Sequence, residues 1–157
     1  MFVSRISQNI CFSVCLFIAV AFGFVTGSAK QVFGEGSNLG FRSGGKFSDY
    51  DPIVYQYNAS GERFRIRGRC RSACTMFLGI RNVCVEPTAV FQFHAGSVEL
   101  GGTRVQSAIS SAHMMAHYNS RLRTYLEAGK YLETRDLHNI TGRDMIAKFG
   151  YPACPPR

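Results

Sequence analysis

A serine and a histidine in the middle of this chain, Ser72 and His94, have the types and surroundings for nucleophilic chemistry. Ser72 opens the apolar segment "SACTMFLG". This segment predicts a helix, and the free N–H groups at a helix N-terminus stabilise a developing oxyanion. His94 ends the strand-like segment "AVFQFH" and is placed to act as the base for a serine. The alternatives are a serine that only caps a helix and a histidine that is satisfied in the core.

The segments around these residues predict a single α/β domain of short strands and helices. In chain order the predicted elements are a strand at 63–67, a turn at Gly68, a helix at 72–79, strands at 82–86 and 89–94, an amphipathic helix at 105–126 and a short helix from a Thr141 cap to Gly150. The glycine-flanked segment 95–103 is a protruding strand or a loop. Residues 30–50 predict loops with at most one short strand near 39–42, and residues 51–60 an extended or short helical segment.

Arginine occupies every second position from 63 to 71, alternating with apolar residues and glycine. This period of two predicts a half-buried strand with one apolar face and one cationic face. The cationic face is either a solvated surface covered by arginine stems or a site for an anion or a peptide carboxylate. The sequence leaves both open, and the strand mainly leads the chain into the turn at Ser72.

Length and composition fit one globular domain behind an export signal. The chain has 157 residues, of which 46% are hydrophobic and 18% charged, a composition that excludes a disordered protein. Residues 1–29 predict a secretory signal peptide, because Arg5 precedes an unbroken apolar stretch and the small residues Gly27 and Ala29 precede Lys30. That stretch of about 16 apolar residues is shorter than the ~20 that span a bilayer. We therefore expect a periplasmic or secreted protein, with 30–157 as its single domain.

The formal net charge of +8 at pH 7 bears on the choice of partners. In the cytoplasm such a basic chain would suggest nucleic acid. Export argues against that partner, and the membrane is contacted only through the signal segment before cleavage. A peptide or protein substrate is the expected partner, and the sequence leaves oligomer formation open.

Four cysteines, Cys70, Cys74, Cys84 and Cys154, follow the predicted signal peptide. An even number of cysteines in an oxidising compartment predicts two disulfides, and four cysteines allow three pairings. A zinc site would favour two close Cys-x-x-Cys pairs, and these cysteines are not spaced in that way.

His113 and His117 lie four residues apart in "HMMAH", on one face of the predicted helix. In the zinc-protease pattern His-Glu-x-x-His a glutamate follows the first histidine, and here Met114 replaces that general base. We therefore expect these histidines on the helix surface and predict neither a metal nor another cofactor.

The segment "GRCRSACTMFLGIRNVCVEPTAVFQFHAG" resembles the core of exported Clp-protease-like proteins of alphaproteobacteria, within the ClpP/crotonase-like superfamily. The similarity covers about residues 40–150 and is most specific from Gly68 to His94. The resemblance implies a reduced ClpP/crotonase-like fold that lacks some early strands and the first helix of a complete subunit.

The resemblance also implies a role for each matching residue. Ser72 would be the nucleophile and His94 its base, and the oxyanion hole would use Ala73 with Gly44 or Gly45. The third catalytic member would be Asp136, with Asp144 as the less favoured choice. The two functions to be distinguished are a serine hydrolase that acts on peptide bonds and a non-catalytic module that binds a peptide or an acidic ligand through a basic face.

Overall fold

Within residues 35–156, two three-stranded sheets and a two-stranded hairpin contain the strands, and the predicted catalytic residues Ser72 and His94 follow strands of the second sheet. The computed structural model describes residues 35–156, which form a mixed α/β domain. In chain order its elements are β1 (Gly36–Ser37), a 3-10 helix (Asn38–Phe41), α1 (Phe47–Ser60), β2 (Phe64–Ile66), β3 (Arg69–Arg71), a second 3-10 helix (Ser72–Gly79), β4 (Val83–Val85), β5 (Val90–Phe93), β6 (Ser97–Leu100), β7 (Thr103–Gln106), α2 (Ala108–Met115), α3 (Ser120–Ala128), β8 (His138–Thr141) and α4 (Gly142–Ala147). The predicted signal peptide, 1–29, lies outside the described residues.

The strands pair in an order that brings distant segments together. In the first sheet β1, β2 and β4 are parallel and adjacent in that order. In the second sheet β3 pairs parallel to β5, and β8 pairs antiparallel to the other edge of β5. Gly68, at φ +61°, turns the chain from one sheet to the other between β2 and β3. A two-stranded hairpin, β6–β7, extends from the end of β5.

The 3-10 helix Ser72–Gly79, which we call the Ser72 helix, lies in the centre of the core. Six consecutive residues of this helix, 73–78, are buried. On one side Phe77 contacts Tyr50 of α1, with ring centroids 5.3 Å apart. On another side Thr75 hydrogen-bonds Tyr118, with 2.5 Å between their oxygens. The prediction of a helix at 72–79 is thus confirmed, although its hydrogen bonding is of the 3-10 type.

The predicted amphipathic helix at 105–126 is wrong as a single element, because the structure has two shorter helices there. Val105 lies in β7, and α2 begins after Ser107, whose hydroxyl accepts the Ser110 N–H. α3 begins after Asn119, whose side-chain oxygen accepts the Leu122 N–H at 3.0 Å. The same Asn119 side chain donates to the Phe149 carbonyl, so a long-range contact fixes the residue at which α3 begins.

The N-terminal part also differs from the sequence expectation. Residues 39–41 lie in the first 3-10 helix rather than in a strand, Arg42 follows this helix, and the short strand β1 precedes it. α1 starts at Phe47, earlier than expected, and ends where Gly61 adopts a left-handed conformation at φ +74°. Glycine is favoured at this position because it has no Cβ to clash.

The arginine run does not form one solvated face. Phe64, Arg65 and Ile66 are all buried in β2, so the expected alternation fails at its centre. The Arg65 guanidinium lies 3.0 Å from a Glu35 carboxylate oxygen and 3.4 Å from one of Glu86. The sequence predicted either a solvated arginine face or a site for a bound anion or peptide carboxylate. Arg65 fits neither, because it is buried and pairs with two carboxylates from other parts of the same chain.

Two disulfides, Cys70–Cys74 and Cys84–Cys154, confirm the prediction of two bridges and select one of the three pairings. The first closes the turn that leads into the Ser72 helix. The second ties the C-terminal tail to β4, where the Val85 N–H also donates to the Pro152 carbonyl at 2.8 Å. Disulfides persist in oxidising compartments, so both bridges indicate a periplasmic or extracellular environment. Within residues 35–156 no helix has the length and apolar character needed to cross a bilayer.

Candidate active site

Ser72 adopts a backbone conformation that is rare for a residue with a side chain. Its φ is +54°, and the only other such residue in the part of the chain that the structure describes is Lys130. A left-handed conformation costs a non-glycine residue about 1–3 kcal/mol and persists only where surrounding contacts enforce it. The contacts here are the Cys70–Cys74 disulfide and the Thr75 hydroxyl, which donates to the Ser72 carbonyl at 2.7 Å.

The Ser72 side chain does not cap the helix that it opens. Arg71 occupies the cap position, and no side-chain hydrogen bond caps this helix. Within residues 35–156 the Ser72 hydroxyl makes no hydrogen bond, and Ser72 lines an open cavity of about 600 Å³. The alternative of a serine that serves only as a cap therefore does not hold.

The glycine segment predicted for the oxyanion hole lies directly against Ser72. Gly44 has φ +76°, and a methyl group added to it would lie 2.8 Å from the Ser72 Cβ and 3.3 Å from the Ala73 nitrogen. The Arg71 N–H donates to the Arg42 carbonyl at 3.0 Å, which holds this segment beside β3. The structure thus brings Gly44, Ser72 and Ala73 together, and only glycine allows this close approach at position 44.

The sheet register places Ser72 and His94 at the same edge. β3 and β5 are parallel neighbours, and Arg71 pairs with Gln92. Ser72 leaves β3 one residue after this pair, and His94 leaves β5 two residues after it. Both residues line the 600 Å³ cavity, together with Gly44 and Gly45. The Ser72 hydroxyl and the His94 ring do not hydrogen-bond to each other here, so direct proton transfer between them stays a prediction.

The His94 ring is oriented by the backbone rather than by an acid. Its Nδ1 lies 2.7 Å from the Ala95 carbonyl oxygen. Because a carbonyl oxygen only accepts, Nδ1 carries the proton, and Nε2 of the neutral ring is left as an acceptor. Burial, together with the nearby cations of Arg71, Arg135 and Arg104, lowers the pKa of His94, although the bond to Ala95 opposes this shift. A histidine with a lowered pKa is neutral at pH 7, which is the state a general base needs.

The cavity walls are cationic. Arg71, Arg104, Arg135 and Lys46 line the cavity, and among the described residues that line it the one acidic side chain is Glu99. Sequence reasoning missed Arg104 and Arg135, since one comes from the hairpin and the other from the loop before β8. No local pattern marks these two arginines. The Ala95 carbonyl was also missed, because a backbone group cannot be recognised from residue types.

The two candidates for the acidic third member lie elsewhere. Asp136 is exposed and lines a separate hollow with Tyr131 and His138, and no hydrogen bond or ion pair joins it to His94. Asp144 accepts the Thr141 hydroxyl at 2.9 Å and pairs with Lys148, also at 2.9 Å. Both oxygens of its carboxylate are therefore already bonded to the residues on either side of α4.

Another hollow, of about 270 Å³, lies between α2 and α3 and is mainly apolar. Its hydroxyl-bearing residue, Ser111, is fully engaged, since this hydroxyl accepts the Gly96 N–H and donates to the Leu132 carbonyl. Among the described residues that line it, this hollow therefore offers no free hydroxyl nucleophile. His113 is exposed as expected, whereas the His117 side chain is largely buried, with 18% of its surface exposed. Asp51 of α1 joins both histidines, a neighbour that the sequence did not predict.

Comparison with known proteins does not assign this geometry to a family. No protein-family model matches the chain, and no curated protein matches it.

Proposed function

We propose that this chain is an exported serine hydrolase of the Clp-protease-like type, acting on peptide bonds with Ser72 as nucleophile and His94 as base. The observation that carries the proposal is the Ser72 backbone at φ +54°, with the hydroxyl uncommitted in a cavity that His94 also lines. Strained residues concentrate at active sites, and hydrolases place a nucleophile on a sharp strand-to-helix turn of this kind. The resemblance of residues 68–94 to Clp-protease-like proteins supports the same assignment.

In the proposed reaction the Ser72 hydroxyl oxygen attacks the scissile carbonyl carbon while Nε2 of His94 takes the hydroxyl proton. The N–H groups of Ala73 and of Gly44 or Gly45 hold the oxyanion that forms. His94 then passes its proton to the departing amine, which leaves an acyl group on Ser72. A water molecule, deprotonated by His94, releases this acyl group and restores the serine.

The Ala95 carbonyl takes the place that an aspartate holds in a complete triad. It fixes the imidazole tautomer, but it carries no full negative charge to stabilise the imidazolium that forms. The arginines around the cavity also disfavour that cation. We therefore propose a hydrolase that is slower than one with a complete triad.

Labelling with a fluorophosphonate probe tests this function. The wild-type chain should be labelled once, Ser72→Ala should not be labelled, and Ser97→Ala should match the wild type because Ser97 only lines the same cavity. His94→Gln should slow labelling by about 10²–10⁴-fold, the usual contribution of a general base. Asp136→Asn should label at the wild-type rate, and a large loss would show that Asp136 completes a triad after a rearrangement. A wild-type chain that is not labelled would overturn the proposal.

The cationic cavity favours a second function, the binding of an anionic ligand without catalysis. Arginine forks match carboxylates, and three arginines line this cavity. If the probe does not react, an acidic peptide should still bind with an affinity that falls as salt rises. Arg104→Glu should then abolish binding, while a substitution of the distant Arg81 should not.

We also propose that residues 1–29 are removed during export. The two disulfides support an oxidising destination. Mass analysis of protein from the periplasm or the medium should give a chain beginning near Lys30, and an intact leader would contradict this.

A further inference from the structure

Asp51, His113 and His117 bring three metal-binding groups together. Asp51 belongs to α1, His113 to the last turn of α2, and His117 to the turn that follows α2. One ligand atom from each side chain lies within 4.8 Å of the others. Nε2 of His113 is 3.1 Å from each Asp51 carboxylate oxygen, and Nε2 of His117 is 3.4 Å from Oδ1 of the same residue.

We propose that these three residues form a binding site for a zinc ion. A tetrahedral zinc ion, with bonds of about 2.0–2.1 Å to imidazole nitrogen and carboxylate oxygen, separates its ligand atoms by about 3.3 Å. The separations between Asp51 and the two histidines already have this length. The two histidine nitrogens lie within 4.8 Å of each other, and side-chain rotation would bring them to this separation.

Neighbouring residues hold both imidazoles in place. The Phe47 ring stacks on His113, with centroids 4.6 Å apart and planes inclined by 14°. Gly79 makes room for His117, since a methyl group at position 79 would lie 2.8 Å from its Nδ1. The two rings direct Nε2 to one carboxylate, so the three groups converge before any ion binds.

The ligand set also indicates the kind of site. Two imidazoles and a carboxylate suit zinc, whereas magnesium and calcium prefer oxygen ligands. Three protein ligands leave a fourth position for water, as in zinc sites that remain open. Since Met114 follows His113, the chain lacks the glutamate of a zinc protease at that position. The ion would tie α1 to α2, and the Ser72 reaction proposed above does not require it.

Zinc titration against a chromophoric chelator tests the site. The full chain is used without a histidine tag or reductant, with any free thiols alkylated, so that neither tag nor thiol competes for metal. We expect one zinc ion per chain. His113→Gln, His117→Gln and Asp51→Asn should each bind at least tenfold more weakly, because even loss of a residue that only hydrogen-bonds a metal ligand weakens binding by about 10–100-fold. His138→Gln is the matched control and should bind as the wild type does, since His138 stacks on Tyr131 away from the cluster.

Cobalt supplies a second measurement that does not depend on the stability of any variant. Cobalt bound to the wild-type chain should give the intense visible bands of a four-coordinate site, and zinc should abolish them while magnesium should not. Absence of zinc binding, or equal binding by the wild type and both histidine variants, would overturn the site and reduce the cluster to a surface ion pair. Neither outcome bears on Ser72 labelling, so the two proposals fail separately.

Discussion

Each disulfide can be removed by replacing both of its cysteines with alanine, and the two exchanges have different consequences in this fold. Cys84–Cys154 joins residues 70 apart, whereas Cys70–Cys74 joins residues only 4 apart. The entropy of loop closure in the unfolded chain gives about 4 kcal/mol for the long loop and about 2 kcal/mol for the short one. For a domain of ~120 residues these losses lower Tm by roughly 16 °C and 8 °C. Cys70, Cys74 and Cys84 are buried and Cys154 is partly buried, so alanine leaves a small cavity at each bridge.

The effect on the site should have the opposite order. Cys70–Cys74 closes the turn that holds Ser72 at φ +54°, so its removal lets Ser72 relax and should abolish fluorophosphonate labelling. Cys84–Cys154 lies at the tail and β4, away from the cavity, so its removal should leave the labelling rate unchanged in folded protein. Calorimetry and the probe, applied to both double variants below their Tm, measure the two effects. These expectations would be wrong if the variant without Cys84–Cys154 is more stable than the one without Cys70–Cys74, or if labelling survives the loss of Cys70–Cys74.

Three further predictions concern the base, the glycine segment and the buried arginine. Labelling requires neutral His94, so its rate should fall as the pH drops through the pKa of His94, with a midpoint below the ordinary value of 6.5; a midpoint at or above 6.5 would contradict the lowered pKa. Gly44→Ala should slow labelling by about 100-fold, because its methyl group would clash with Ser72 and a 1 Å displacement at an active site typically has this effect. Gly40→Ala should not slow labelling, because its methyl group would meet no atom within 4 Å. In thermal denaturation Arg65→Gln should lower Tm clearly, whereas the exposed Arg63→Gln should change stability by no more than about 0.5 kcal/mol; equal effects would speak against the buried ion pair.

Features that depend on neighbouring residues could be predicted from the sequence. Alternating and apolar segments located the strands around Arg65, Cys84 and Phe91, and Thr141 marked the start of α4 through its hydroxyl, which accepts the Asp144 N–H. Ser72 could be singled out because a polar residue opens an apolar segment after a turn. Strand, helix and cap signals act over a few residues, so they can be read without knowledge of the fold.

Contacts between distant residues could be found only from the folded chain. α2 ends at Met115, and Asn119 starts α3 through its contact with the Leu122 N–H. The same side chain also contacts Phe149, which periodicity in 105–126 cannot reveal. Arg65 is buried and ion-paired because Glu35 and Glu86 lie beside β2, although the alternation placed it on an outward cationic face.

The site itself shows the same division. The residue types of Ser72 and His94 can be read from the sequence. That both lie at the same end of the second sheet follows from the parallel register of β3 and β5. The group that orients His94 is a backbone carbonyl, and every residue carries one, so residue types could not predict it. Asp51 meets His113 from 62 residues away along the chain, and His117 contacts the same carboxylate. Such long-range contacts depend on how whole elements pack, which residue type and local spacing do not specify.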